Sequence, residues 1–166
     1  IEQAQPSLQQ FPLSLTTLDP FAPTPALTAV TLNHDELRVR LYDADPSDWG
    51  AYVRWSAARS YDEPVDLPSV FELVSDSVIT VDTSDDLAAE TLIEVTEAIG
   101  GDTGHAIVVV EPTEVYSPTS DLYWMNRPAV TWLQATDLGV DVVTGGERGL
   151  VWVTSLTSGQ PVGADI

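Results

Sequence analysis

Few side chains in these 166 residues are of the kinds that make or break bonds, and they are scattered. There are no cysteines, which excludes disulfides, thiolate nucleophiles and Cys-based zinc sites. The two histidines, His34 and His105, lie far apart in the chain. A zinc site or a Ser-His-Asp triad needs a histidine with partners converging on it. His105 opens a run of β-branched residues, where a hydrogen-bonded structural histidine is the expectation. No nucleophile elbow, P-loop, HExxH or GxGxxG occurs. No catalytic, cofactor-binding or metal-ligating residue is therefore assigned, and the chain reads as a non-enzyme.

Asp43, Asp45 and Asp48 crowd one segment and offer oxygens of the kind calcium takes. Their spacing departs from an EF-hand: the bidentate Glu is missing and Arg54 stands close by. Asp45 is better used as a helix cap. Asp82, Asp85 and Asp86 read as an acidic turn facing water. Five Trp and five Tyr are enough to line a sugar-binding face. However, Trp132 and Trp152 each sit inside an alternating strand, and Trp49 sits on the packing face of a helix. The core is their expected place.

The elements that carry these residues are mostly strands. Residues 1–28 are rich in Pro (Pro6, Pro12, Pro20, Pro23, Pro25), Gln, Ser and Thr. Proline donates no backbone hydrogen bond, so this stretch is no central strand and reads as an extended linker. From Ala29 to Tyr42, Leu37, Val39 and Leu41 alternate with Arg38, Arg40 and Tyr42, the period of a half-buried strand. Asp45-Pro46-Ser47-Asp48 places an N-cap, a proline at the first helical position and an acid in the first turn. A helix over about 46–59 follows, with Trp49, Tyr52, Val53 and Ser56 on one face. Residues 60–68 (Tyr61, Pro64, Pro68) read as loop.

Val70–Val74 and Val78–Val81 read as two strands split by Ser75-Asp76-Ser77. Thr91–Val95 is a further strand, followed by a helical turn that stops at Gly100-Gly101. His105–Glu111 is a continuous apolar run, the pattern of a strand buried on both faces, and Pro112 ends it. Residues 113–128 read as a second linker (Ser117, Pro118, Thr119, Ser120, Pro128). Ala129–Ala135, Leu138–Val143 and Leu150–Leu156 are strands. Thr144 to Gly149, with Glu147 in it, joins the last two, its adjacent Gly145 and Gly146 suiting positive φ. Ser158–Pro161 turns again, and a new strand is expected from Gly163 to Ile166.

The fold class is thus all-β: an antiparallel β-sandwich with a short helix over 29–112, plus an incomplete second domain over 129–166. Composition bounds the rest. Twenty-six Asp and Glu stand against six Arg and no Lys, a formal net charge of -20. That balance argues against binding nucleic acid or an anionic membrane by bulk electrostatics. No apolar run is long enough to span a bilayer. The chain begins Ile1-Glu2-Gln3, without Met or a basic leader, and reads as a piece of something longer.

Two stretches carry a resemblance. Ala129 to Val140 and Leu150 to Val162 resemble the bacterial alpha-2-macroglobulin family, in which a strand reading roughly W-x-Q-x-T-D-L-G precedes a hairpin, then V-W-x-x-x-L-x-T-G-x-P and a Gly-Ala. Here the positions are Trp132, Gln134, Thr136, Asp137, Leu138 and Gly139, then Val151, Trp152, Leu156, Ser158, Gly159, Pro161, Gly163 and Ala164. Ser158 departs from the family's usual residue. Leu37 to Tyr42 with Asp45 to Trp49, Ala51 and Tyr52 is similar to its L-R-V-R-x-Y and P-x-D-W-x-A-Y segment. Glu90 to Pro112 agrees as well.

The resemblance implies macroglobulin-like domains, seven-stranded fibronectin-III-like sandwiches that tile a large shell. It implies a parent that is periplasmic or extracellular, anchored to the membrane, and an endopeptidase inhibitor that traps the proteases that cut its bait region. Many members carry a Cys-Gly-Glu-Gln thioester. With no Cys here, no functional residue of the family carries over. The expected role is a non-catalytic structural module whose partners are neighbouring domains of the same chain. Its open edge is expected to pair with the first sandwich, to pair with a second copy, or to stay partly exposed. A ligand- or carbohydrate-binding sandwich of a bacterial cell-surface protein is the alternative, and it requires an exposed aromatic platform. An enzyme fragment would require a cleft with convergent polar groups.

Overall fold

A computed structural model of the protein describes residues 4–10, 14–60, 63–101, 103–146 and 148–163. Pro12, Tyr61, Glu147 and Ala164–Ile166, read above as linker, loop, turn and nascent strand, lie outside them. The chain divides into two compact units, Ile1–Ala135 and Thr136–Ile166.

The first unit is a sandwich of two sheets. Strands β1 (Ser7–Gln10), β3 (Ala26–Leu32) and β6 (Ala88–Glu94) form one sheet in the order β1-β3-β6. The other runs β2-β8-β7-β4-β5, from β2 (Ser14–Leu18), β4 (Glu36–Ala44), β5 (Leu73–Thr80), β7 (Gly104–Pro112) and β8 (Ala129–Ala135). All neighbours are antiparallel except β2 and β8, which are parallel.

The apolar run from His105 becomes β7, the middle strand of five. It is buried on both faces, as a strand without polar alternation must be. Ala106, Val108 and Val110 point between the sheets, where they meet Leu37, Val39 and Leu41 of β4, Leu27 and Ala29 of β3, Ala89 and Ile93 of β6, and Leu133 of β8. Ile107 and Val109 point the other way, into a second core with Tyr42, Val130 and Trp132. Helix α1 (Trp49–Ala58) and the loop after it roof that second core with Tyr52, Val65 and Phe71.

The helix starts as the sequence requires. A single 3-10 turn, Pro46–Asp48, leads into α1, and Asp45 and Asp48 cap it reciprocally. The Asp45 carboxylate accepts from the Ser47 amide at 2.8 Å, and Asp48 accepts from the Asp45 amide at 3.2 Å. Helix α2 (Thr96–Ile99) ends at Gly100, whose φ of 71° lies in the left-handed region that glycine enters without cost.

Three expected boundaries are corrected. Residues 1–28 are not a linker: β1 and β2 lie in them. Both are edge strands, the place where neighbouring prolines are tolerated because one side of the ladder stays unused. Residues 113–128 are not a linker either. They hold helix α3 (Asp121–Met125), capped by Ser120, and the buried Asn126. Ala129–Ala135 does not open a second domain but completes the first sandwich between β2 and β7. In addition, Ser75-Asp76-Ser77 does not split a strand; it forms the middle of β5, held in register against Leu41, Arg40 and Val39.

The second unit is a hairpin. Strand β9 (Leu138–Gly145) pairs with β10 (Arg148–Ser155), from Leu138 opposite Ser155 to Gly145 opposite Arg148. Gly146, at φ 60°, makes the turn.

Candidate functional site

None of the acidic or histidine clusters singled out in the sequence is gathered into a reactive centre. Asp45 is spent on its helix cap, and the hydrogen bonds from Ser47 hold its carboxyl below the ordinary carboxylate range. Asp86 is a structural link. Its carboxylate accepts from the Ala4 amide at 2.7 Å and from Asn33 Nδ2 at 3.1 Å, while Asn33 Oδ1 accepts from the Asp86 amide at 2.9 Å. Both residues sit at positive φ. Among the described residues no group of three or more His, Asp or Glu is placed to hold a metal ion.

Each histidine is tied to a structural partner. His105 Nδ1 accepts a hydrogen bond from Trp132 Nε1 at 3.0 Å, and the rings lie 5.7 Å apart. Burial pushes the His105 pKa down, against a smaller upward pull from Asp45. The accepting role of Nδ1 puts the proton of the neutral ring on Nε2. His34 is buried, and its Nε2 meets Asn126 Oδ1 at 2.6 Å. Asn126 also accepts from the Leu8 amide and donates to the carbonyls of Pro6 and Leu122. One amide side chain therefore joins β1, the turn after β3 and helix α3. No local pattern in the sequence marks Asn126 for this role, since all its partners but Leu122 are distant in the chain.

The tryptophans divide. Trp132 is 2% exposed and sits at the centre of the second core. Trp49 packs edge-on against it at 5.2 Å, Tyr52 lies 5.4 Å away and Phe71 6.3 Å. Trp49 itself stays partly exposed at the helix start. Trp152, expected in a core, is instead half exposed on the hairpin, and Trp124 on α3 is exposed too. These exposed rings lie on separate elements.

The sheet supplies acidic partners for Arg38 and Arg40. Arg38 grips Asp76 with two hydrogen bonds, at 2.8 and 2.7 Å. Glu111 of β7 accepts from Arg40 at 3.1 Å and from Arg38 at 3.4 Å. Arg40 also donates to the Val65 carbonyl at 3.0 Å, which holds the loop after α1 down on the sheet. The Arg38 guanidinium keeps the Asp76 carboxyl below its usual range.

Open grooves on the first unit are lined by described residues. One, of about 490 Å³, runs beside residues 112–128 past Arg38, Glu111, Tyr116, Tyr123 and Pro128. Another, of about 510 Å³, lies between β5 and β6. Neither is lined by a histidine. In the second unit, Asp137 accepts from the Thr157 amide, the Thr157 hydroxyl and the Ser155 hydroxyl at 2.7–2.8 Å. These bonds, led by that of the Thr157 side chain, hold its carboxyl below the usual range. The T-D-L-G motif thus pins the turn that closes β10. The cross-strand register places Leu138, Val140, Val142, Val151 and Val153 on one face of the hairpin, and the first three are exposed.

No family model matches the sequence, and no curated protein matches it. Solved structures do. The NIE-MG1 region of native alpha-2-macroglobulin from Escherichia coli superposes at a TM-score of 0.66 and 16% identity, covering 95% of this chain and 73% of that one. The MG0-NIE-MG1 structure gives 0.66 and 18%, covering 96% of this chain and 48% of that one. The native conformation of Escherichia coli alpha-2-macroglobulin gives 0.64 and 17%; the match covers 96% of this chain and 10% of that much longer one. The chain has the macroglobulin-like β-sandwich fold.

Proposed function

We propose that the chain is a non-catalytic structural module of a bacterial alpha-2-macroglobulin-like protein that traps proteases. The observation that carries the reading is the extent of the fold match: 95–96% of the chain follows consecutive domains of one such protein. The order of the sequence motifs supports it independently of the coordinates.

On this reading the module acts mechanically. The five-stranded sheet has a core on each face, which makes the first unit stiff. Its exposed faces pack against sister domains of the same chain, through interfaces that permit relative motion. The second unit is the opening hairpin of a further macroglobulin-like domain. An isolated hairpin is marginal in water, and its exposed aliphatic face is suited to burial under additional strands. The acidic surface keeps a large periplasmic or extracellular assembly dispersed. No helix among the described residues is long and apolar enough to cross a membrane, and the proposed anchor belongs to the parent. The sugar-binding alternative asks for a shared aromatic platform. The burial of Trp132 and Tyr52 weighs against it.

The test is made on the native parent, captured with an antibody to this domain, treated with methylamine and mapped by mass. A chain many times longer than 166 residues with a Cys-Gly-Glu-Gln peptide that takes up methylamine establishes a thioester trap. A long chain without that peptide, which still shields a bound protease from a large substrate, is a thioester-free trap. A parent little longer than this chain overturns the proposal.

A further inference from the structure

The two sheets of the first unit do not match in width. Five strands lie on one side and three on the other, and the shorter sheet stops at β6. Among the described residues β6 pairs only with β3, and β5 only with β4. Both are open edges, facing the same side of the sandwich.

The inner face of β5 is left uncovered as a result. Its residues Ser75, Ser77 and Ile79 stand opposite Leu41, Val39 and Leu37 and so share their core-facing side. Yet Ser77 is exposed and Ser75 and Ile79 are only half-buried. Above them is the open slot of about 510 Å³, with Val39, Leu41 and Ile79 at its floor and Ile93 of β6 on its wall. A strand laid along the free edge of β6 would sit over β5 and fill this space.

The charge along that edge states what such a strand carries. On the outer face of β6, Glu90, Leu92 and Glu94 alternate, all exposed, with Leu92 at 69%. Glu97 of α2 stands at the end of the slot. A strand paired here puts alternate side chains beside Glu90, Leu92 and Glu94, where opposite charges and apolar pairs stabilise and like charges repel. A second copy of this chain is a poor fit. It has a net charge of -20 and no Lys, and its one Arg-x-Arg segment, Arg38–Arg40, is the interior strand β4. Acidic residues on an open edge guard against self-pairing.

We propose that the slot between β5 and β6 is a strand-docking site for an extended segment of another polypeptide, with basic, apolar and basic residues on its outer face and small or β-branched residues inward. Main-chain hydrogen bonds to β6 supply affinity, and the alternating side chains supply selection. The site stands independently of the protease-trap reading.

The test uses the intact chain and a labelled peptide, Thr-Lys-Val-Leu-Val-Lys-Thr, against the same peptide with Glu for Lys. Fluorescence polarisation measures binding, and amide hydrogen exchange locates it. The expected result is saturable binding of the Lys peptide alone, with exchange slowed in Ala88–Glu94. The surface double variant Glu90→Gln, Glu94→Gln keeps its circular dichroism and binds roughly three- to tenfold more weakly, as two lost cross-strand pairs require. Equal binding of both peptides, protection on β1 or β2 instead, or no binding at millimolar peptide each overturns the proposal.

Discussion

Trp132 on β8 donates its indole N–H to His105 Nδ1 on β7, across the face that helix α1 covers. The bond requires a neutral imidazole, and it places a titrating group at the edge of the most densely aromatic part of the fold. The first prediction concerns pH. The folded pKa of His105 lies below its ordinary 6.5, so below that pH the unfolded chain takes up a proton that the folded chain resists. The contribution is fully present above about pH 6.5 and is lost as pH falls toward the folded value. Denaturant midpoints measured from pH 7.5 down to 5 are expected to fall, and the slope is expected to flatten in His105→Asn. Parallel slopes in the two proteins would refute this.

Trp132 fills the centre of the second core, and truncation leaves a cavity. Trp132→Ala is expected to cost about 3–5 kcal/mol, measured by urea denaturation, with loss of the aromatic circular dichroism. Trp132→Phe keeps most of the volume and loses the hydrogen bond, and it is expected to fall between the two.

Asn126 connects segments that local structure does not. Asn126→Ala leaves the Leu8 amide and the Pro6 and Leu122 carbonyls without their partner and is expected to cost about 2–3 kcal/mol. The loss is expected to be local first: hydrogen exchange at Leu8 and proteolysis before β3 accelerate more than exchange in β7. Uniform acceleration would mean that Asn126 acts only through global stability.

Arg38 and Arg40 share Glu111 but differ in exposure, at 45% and 12% of the side chain. Water screens the outer pair, so Arg38→Ala is expected to cost under about 1 kcal/mol. Arg40→Ala strips a half-buried carboxylate of its nearer partner and frees the Val65 carbonyl, with an expected cost of about 2–3 kcal/mol. Thermal melts of the two variants, compared in low and high salt, separate the effects.

Asp137 orders the turn after β10 through three short bonds. Asp137→Ala is expected to speed exchange at the Thr157 and Leu156 amides while leaving that of β7 unchanged. No change at Thr157 would show that the turn is held by its backbone bonds alone.

Much of this fold could be read without coordinates, because its signals are local. The alternation of Leu37 to Tyr42, the β-branched run after His105, the Asp45-Pro46 helix start and the glycine stop at Gly100 each depend on neighbours within a few residues. The edges of the fold are not legible in the sequence, for the converse reason. Whether Ser7–Gln10 is a strand depends on Leu32 and its neighbours lying beside it, and nothing within the proline-rich stretch states that. The same holds for Ala129–Ala135, whose pattern is plainly a strand but whose sheet is chosen by β7. The burial of Trp132 and the exposure of Trp152, both in alternating strands, differ because one has a helix over it and the other lies on a two-stranded hairpin.

The sequence alone determined the class of this protein: an all-β chain, strongly acidic, without cysteine and without the spacing of a known catalytic motif. Period-two patterning and turn chemistry are properties of short segments and survive without tertiary context. Only the tertiary structure decided where the sandwich ends, which residues close it and which edges stay open. Those outcomes depend on contacts between segments far apart in the chain, such as Asn126 with Leu8, 118 residues apart, or Asp86 with Ala4, 82 apart, and such contacts arise from packing that no local pattern encodes.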